Sequence, residues 1–166
     1  MLAGHSQGGT SPPLELAAKA TSLVKFAPFV DWPAAVFSTP DSPVTICVMD
    51  DDPLAPLVQQ AASGQKAGNR ALAVQRISPN GSADGCQIFY FEPDSQAGAD
   101  IAEALRNRPV LTVTSSDSDV PKPAIITFSV DQNRVRFDID NIAAAHAGLE
   151  IGSSLLALAR NVKRVP

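Results

Sequence analysis

VTICVM, residues 44–49, is a continuous apolar run rich in β-branched side chains, with Pro43 before it and the acidic triplet Asp50, Asp51 and Asp52 after it. No polar residue alternates with the apolar ones beyond Thr45, so the run predicts a strand buried on both faces, as in a parallel sheet covered by helices. Working outward, residues 53–63 fit a short helix, residues 64–69 a loop, and ALAVQRI (71–77) a second strand. SPNGSADG (78–85) carries turn chemistry, and CQIFYF (86–91) repeats the buried-strand pattern. A helix over Ala97–Arg106 then leads to PVLTVT (109–114), a fourth strand.

The last third changes character. AIITFSV (124–130) and RVRFDID (134–140) flank Asp131-Gln132-Asn133 and predict a hairpin. In its second arm Val135, Phe137 and Ile139 alternate with Arg136 and Asp138, which places that arm near a sheet edge. IAAAHAG follows, with Gly148 suited to the residue after a helix end. SSLLALARNVKR then predicts a helix capped by Ser153 or Ser154, with basic residues in its last turn. Upstream, residues 1–13 are rich in Gly, Ser and Pro and predict a flexible tail. Helical spacing of Leu16, Ala20, Leu23, Val24 and Ala27 predicts a first helix from Leu14 to about Val30, kinked at Pro28. Asp31-Trp32-Pro33 interrupts it, and Pro33 opens a short turn through Val36 and Phe37.

Strands that alternate with helices give an α/β fold class: one domain, residues 14–166, with a mostly parallel open sheet flanked by helices and a C-terminal β-hairpin and helices. The chain has 166 residues, enough for one good core. Apolar residues are 45% and charged residues 18%, an ordinary globular composition, and the net charge of −4 with scattered cations excludes the basic footprint of a nucleic-acid binder. No apolar run is long enough to cross a membrane.

Candidate sites divide into motifs whose context fails and groups that remain open. GHSQGG, residues 4–9, spells a nucleophile elbow around Ser6, but that motif needs a buried strand before it and a helix directly after it. Three residues precede this one and Thr10-Ser11-Pro12-Pro13 follow, so Ser6 is not assigned as a nucleophile, nor is His146 as its partner. The run ICVMDDDP, with Thr114 at a later strand end and Lys122 beyond it, resembles the acidic pocket of a phosphoacceptor receiver domain. Phe91-Glu92-Pro93 stands where the phosphorylated Asp belongs, and Lys122 follows Thr114 too closely for the crossover of about a dozen residues that the next parallel strand requires. No phosphate-binding glycine motif occurs, and two cysteines with two distant histidines do not make a zinc site. The expectation is a chain with no catalytic residue, cofactor or metal. A small-molecule sensor is the alternative, with its ligand near Asp50, Asp51, Glu92 and Thr114, where open α/β sheets place their sites. Trp32 reads as an anchor packed among Phe26, Phe29 and Phe37 rather than as a ligand platform. Cys47 and Cys86 fit two buried thiols or one disulfide equally well until the compartment is known.

A family resemblance bears on that point. KFAPFVDWPAAVF (25–37), ICVMDDDPL (46–54), CQIFYF (86–91), RPVLTV (108–113) and NRVRFDIDNIAAAHAGLEIGSSLLALAR (133–160) are similar to the successive blocks of the YfiR family, in its order and over nearly the whole chain after Leu14. The closing block, an AGL turn leading to an LL-x-LAR helix, is the most specific, and FVDWP is next. The resemblance implies a periplasmic protein without enzyme activity that represses a membrane-bound diguanylate cyclase of the YfiN type by contacting its periplasmic sensor domain, and so acts on cyclic-di-GMP signalling and biofilm formation. It implies an exported chain whose signal peptide is not part of this sequence. Separately, a homodimer is expected because it would match a two-fold partner. An oxidising compartment favours a Cys47–Cys86 disulfide, within reach if the first and third strands are neighbours as in flavodoxin-like order. With only two cysteines, no second disulfide is available.

Overall fold

The computed structural model describes residues 12–116 and 124–164. The VTICVM run forms strand β2 (Val44–Met49), after β1 (Val30–Asp31) and helix α1 (Pro12–Phe26). Helix α2 (Ala55–Ala62), β3 (Lys66–Ala67) and β4 (Arg70–Ile77) follow, then β5 (Ile88–Tyr90), α3 (Gln96–Ala104), β6 (Leu111–Ser115) and β7 (Ile126–Asp131). Five of these strands lie parallel in the order β4-β2-β5-β6-β7. Counted along the chain that is 2-1-3-4-5, the flavodoxin-like order, and it makes the first and third parallel strands neighbours. The α/β class with a mostly parallel sheet is therefore the observed one.

Strand β8 (Arg134–Asp140) returns antiparallel on β7. Gln132 and Asn133, with φ of 51° and 66°, form the two-residue turn between them. Both central residues in the left-handed region is the hairpin geometry whose twist matches the strands. Helix α4 (Asn141–His146) starts at Asp140, whose side chain accepts from the Ala143 N–H at 2.9 Å. It ends as expected at Gly148, with φ of 79°: the Leu149 N–H reaches the Ala144 carbonyl and the Gly148 N–H that of Ala145.

Several expectations are corrected. The first helix stops at Phe26 rather than kinking at Pro28; Ala27–Phe29 form a 3-10 turn in whose first positions proline's missing N–H does no harm. Val30–Asp31 are strand because they pair with β9 (Glu150–Ile151). Pro12 and Pro13, assigned to the tail, already belong to α1. The terminal helix α5 covers only Ser153–Leu158, and Asn161–Lys163 form β10, parallel to β8. The open edge of β8 explains the change: pairing there satisfies backbone groups that a helical end would leave to water, and Arg160 anchors it with two bonds to Asp138 at 2.8 and 3.0 Å. Gly152, not a serine, precedes α5; its N–H donates to the Phe29 carbonyl at 2.7 Å, where an added Cβ would sit 3.1 Å from that oxygen. Within the expected 64–69 loop, β3 makes a tight hairpin with β4.

The sheet separates two cores. On one face Ile46, Val48, Ile88, Tyr90, Leu111, Val113, Ile126 and Phe128 pack under α1 and α2, with Leu155 of α5 beside them. On the other, Cys47, Met49, Ile77, Phe89 and Phe91 meet Ala102 and Leu105 on and just after α3. Each large side chain taken out of water contributes about 1.5–3 kcal/mol.

Candidate functional site

Cys47 lies within β2, where its register partner is Phe89, and Cys86 lies two residues before β5, in a turn closed by its own N–H on the Ala83 carbonyl. The Cα atoms of the two cysteines are 6.0 Å apart and the sulfurs are joined in a disulfide. The bond sits in the smaller core, with both cysteines buried, and it closes the loop that carries α2, β3 and β4. Its position is architectural: both cysteines are buried, so a reductant reaches the sulfurs only when the domain opens.

A second feature lies at the carboxyl ends of β2 and β5, where the strand order reverses, the usual ligand position in an open α/β sheet. A cleft of about 680 Å³ opens there, lined by Glu15 and Lys19 of α1, Asp51 and Asp52 after β2, and Glu92 and Asp94 after β5. Asp52 is 6% exposed. Its Oδ1 accepts from the Leu54 N–H at 2.8 Å, holding the chain as it enters α2, while its Oδ2 has no hydrogen-bond partner. Burial pushes the Asp52 carboxyl up to about 6, the Leu54 N–H opposes that rise, and the charges of Glu92 and Asp51 add to it. Lys19, also buried, gives its ammonium to Glu15 Oε2 at 3.1 Å. The Tyr90 hydroxyl donates to Glu92 Oε2 at 2.7 Å and lies 2.6 Å from Ser115 Oγ.

Of the four residues considered for a ligand, Asp51 and Glu92 line this cleft. Asp50 is exposed beside it, its N–H bound to the Ile77 carbonyl at 2.8 Å. Thr114 is buried and its hydroxyl donates to the Phe91 carbonyl at 2.7 Å, so it presents no free proton to the cleft. Asp52, Lys19, Glu15 and Asp94 were not singled out by sequence. The only signal for Asp52 was its place just before an apolar helix, and for Lys19 its place on the apolar side of α1.

The two most specific blocks of sequence meet in space. FVDWP and AGLEIG form the small β1–β9 sheet. Trp32 is half-buried against the larger core and its Nε1–H donates to the Gln87 carbonyl at 3.0 Å, as an anchor would. The Arg70 guanidinium lies 3.7 Å over the Phe37 ring. Ser6 and Lys122 lie outside the described residues, and His146 is exposed at the end of α4. Among the described residues no three His, Cys, Asp or Glu side chains converge as a metal site, and no helix is long and apolar enough to cross a membrane.

Fold and site define a flavodoxin-like α/β domain pinned by one internal disulfide, with an acidic cleft at its switch point. The chain belongs to the YfiR/HmsC-like family, whose model matches residues 16–160. That family is one of periplasmic regulators of diguanylate cyclases, regulatory rather than catalytic. No curated protein matches the chain.

Proposed function

We propose that this chain is a periplasmic repressor of a membrane-bound diguanylate cyclase of the YfiN type, acting by contact with the cyclase's periplasmic sensor domain. The family match over residues 16–160 is the observation that carries this reading. Repression requires tighter binding to the cyclase's inactive state than to its active one. Leu14 on α1 and Leu158 on α5, 66% and 64% exposed, are apolar side chains suited to such a contact. The repressor works as a homodimer against a two-fold partner. The disulfide keeps the domain folded in an oxidising compartment, and its reduction weakens the domain and releases the cyclase.

Co-purification tests the reading. The purified chain should retain the periplasmic domain of a YfiN-type cyclase, and adding the chain to membranes that carry that cyclase should lower cyclic-di-GMP synthesis. Loss of binding on Leu158→Asp with unchanged thermal stability would support the contact, and a cyclase indifferent to the chain would overturn it.

A further inference from the structure

We propose that the acidic cleft between the ends of β2 and β5 is a binding site for a small organic cation, whose primary ammonium group pairs with Asp52. The inference stands apart from the choice of protein partner, because it rests on groups inside one domain.

The argument begins with an atom that lacks a partner. Buried carboxylate oxygens are ordinarily hydrogen-bonded, since leaving one unpaired costs more than a typical hydrogen bond returns. Asp52 is 6% exposed, and Oδ2 has no donor although Oδ1 is well bonded to the Leu54 N–H. A local role at the start of α2 explains one oxygen only. The surroundings then fix the sign of the missing partner. Glu15, Asp51, Glu92 and Asp94 line the same cleft, against Lys19 as the one cation among the described lining residues, its ammonium held by Glu15. An anionic ligand would be repelled, whereas an ammonium donor would satisfy Oδ2 and relieve the mutual repulsion of the acids.

Class of cation follows from geometry. Among the described residues no three carboxylates converge closely enough to hold a metal ion, so the acids line a space instead of forming a cage. About 680 Å³ is a small-molecule volume. The apolar side chains of Leu16, Met49 and Ala97 in the lining would cover the carbon skeleton of such a ligand.

The probe is 1,4-diaminobutane, titrated calorimetrically into the whole chain at pH 7.5. Saturable binding is expected, weakened about tenfold or more by Asp52→Asn, the loss of one charge-assisted bond. Asp41→Asn, an exposed acid outside the cleft, should leave it unchanged. Binding should weaken about tenfold between pH 7.5 and pH 5 as Asp52 takes up a proton in the presence of Glu15, Lys19, Asp51, Glu92 and Asp94. The neutral analogue 1,4-butanediol should give no saturable heat. If Asp52→Asn does not fold, Glu92→Gln is the second variant, expected to weaken binding several-fold. The proposal is overturned by absence of saturable heat with the diamine, by equal binding of the diol, by unchanged affinity in folded Asp52→Asn, or by saturation with magnesium or calcium and not with the amine.

Discussion

The two faces of the sheet are built from the same strands by alternate residues, yet they are stabilised differently. On the α1–α2 face the strands offer Ile46, Val48, Ile88, Tyr90, Leu111, Val113, Ile126 and Phe128, and Phe26 stacks on Phe128 at 5.8 Å between ring centres. On the α3 face β6 offers Thr112 and Thr114 instead, whose hydroxyls serve backbone groups: Thr112 accepts from the Ile125 N–H and Thr114 donates to the Phe91 carbonyl. That side gathers a smaller cluster, and the disulfide lies within it. The contrast teaches that a covalent link stands where apolar burial is thinnest, so the two faces should fail in order.

The largest expected effect comes from removing that link. Cys47→Ala combined with Cys86→Ala releases a loop of 39 residues' separation. On the chain-entropy model this costs about 4 kcal/mol, a large part of the roughly 5–15 kcal/mol by which domains are stable. Urea unfolding of the oxidised, reduced and doubly substituted chains measures it. Amide exchange sharpens it: the amides of α3 and β5 should lose protection before those of α1. A uniform loss across both faces would break the comparison, and two free thiols in the unfolded, unreduced chain would remove its premise.

How much of this was legible before the coordinates differs by region. Parallel order could be read from VTICVM, CQIFYF and PVLTVT because strands buried on both faces need no alternation, and the hairpin turn could be read because Gln132-Asn133 sit between two alternating arms. Val30–Asp31, Lys66–Ala67, Glu150–Ile151 and Asn161–Lys163 could not: strands this short exist only through their partners. The cleft was half legible. An acid run after the first strand marks the place, but Asp50, Asp51 and Asp52 are equivalent as letters. Only the start of α2 at Ala55 turns Asp52 inward and leaves its neighbours exposed.

Gly98 gives the next effect in size. It sits in the first turn of α3, its N–H capped by Ser95 Oγ at 3.0 Å. Alanine is usually the better helix former by about 1 kcal/mol. Here an added Cβ would lie 2.6 Å from the Phe91 Cβ, an atom no rotamer change can move. Overpacking of this kind costs about 1–3 kcal/mol, so Gly98→Ala should destabilise by up to about 2 kcal/mol net in urea. A gain in stability would mean that α3 stands off the sheet and that the thinner face is loose rather than close-packed.

Tyr90→Phe should have the smallest effect, because it alters the thicker face without opening a cavity. The ring stays, with its contact to Phe128 at 6.2 Å between centres, and only the hydroxyl is lost. Since that hydroxyl donates to Glu92, Ser115 supplies the proton of the second bond. After substitution Glu92, half-buried, turns to water, and the Ser115 hydroxyl rotates to another acceptor. The expected loss is about 1 kcal/mol, read from the shift in urea midpoint. Tyr90 is the single tyrosine of the chain, which adds a second readout in the parent protein. Burial first, and then the Glu92 charge, hold its phenol well above the ordinary value. Phenolate absorbance should therefore be missing at about pH 11, where a free tyrosine is mostly ionised, and appear only as the domain unfolds. Ionisation of the folded chain near the ordinary value would show that this end of the core is wet, and the difference between the two faces would then lie in their outer layers alone.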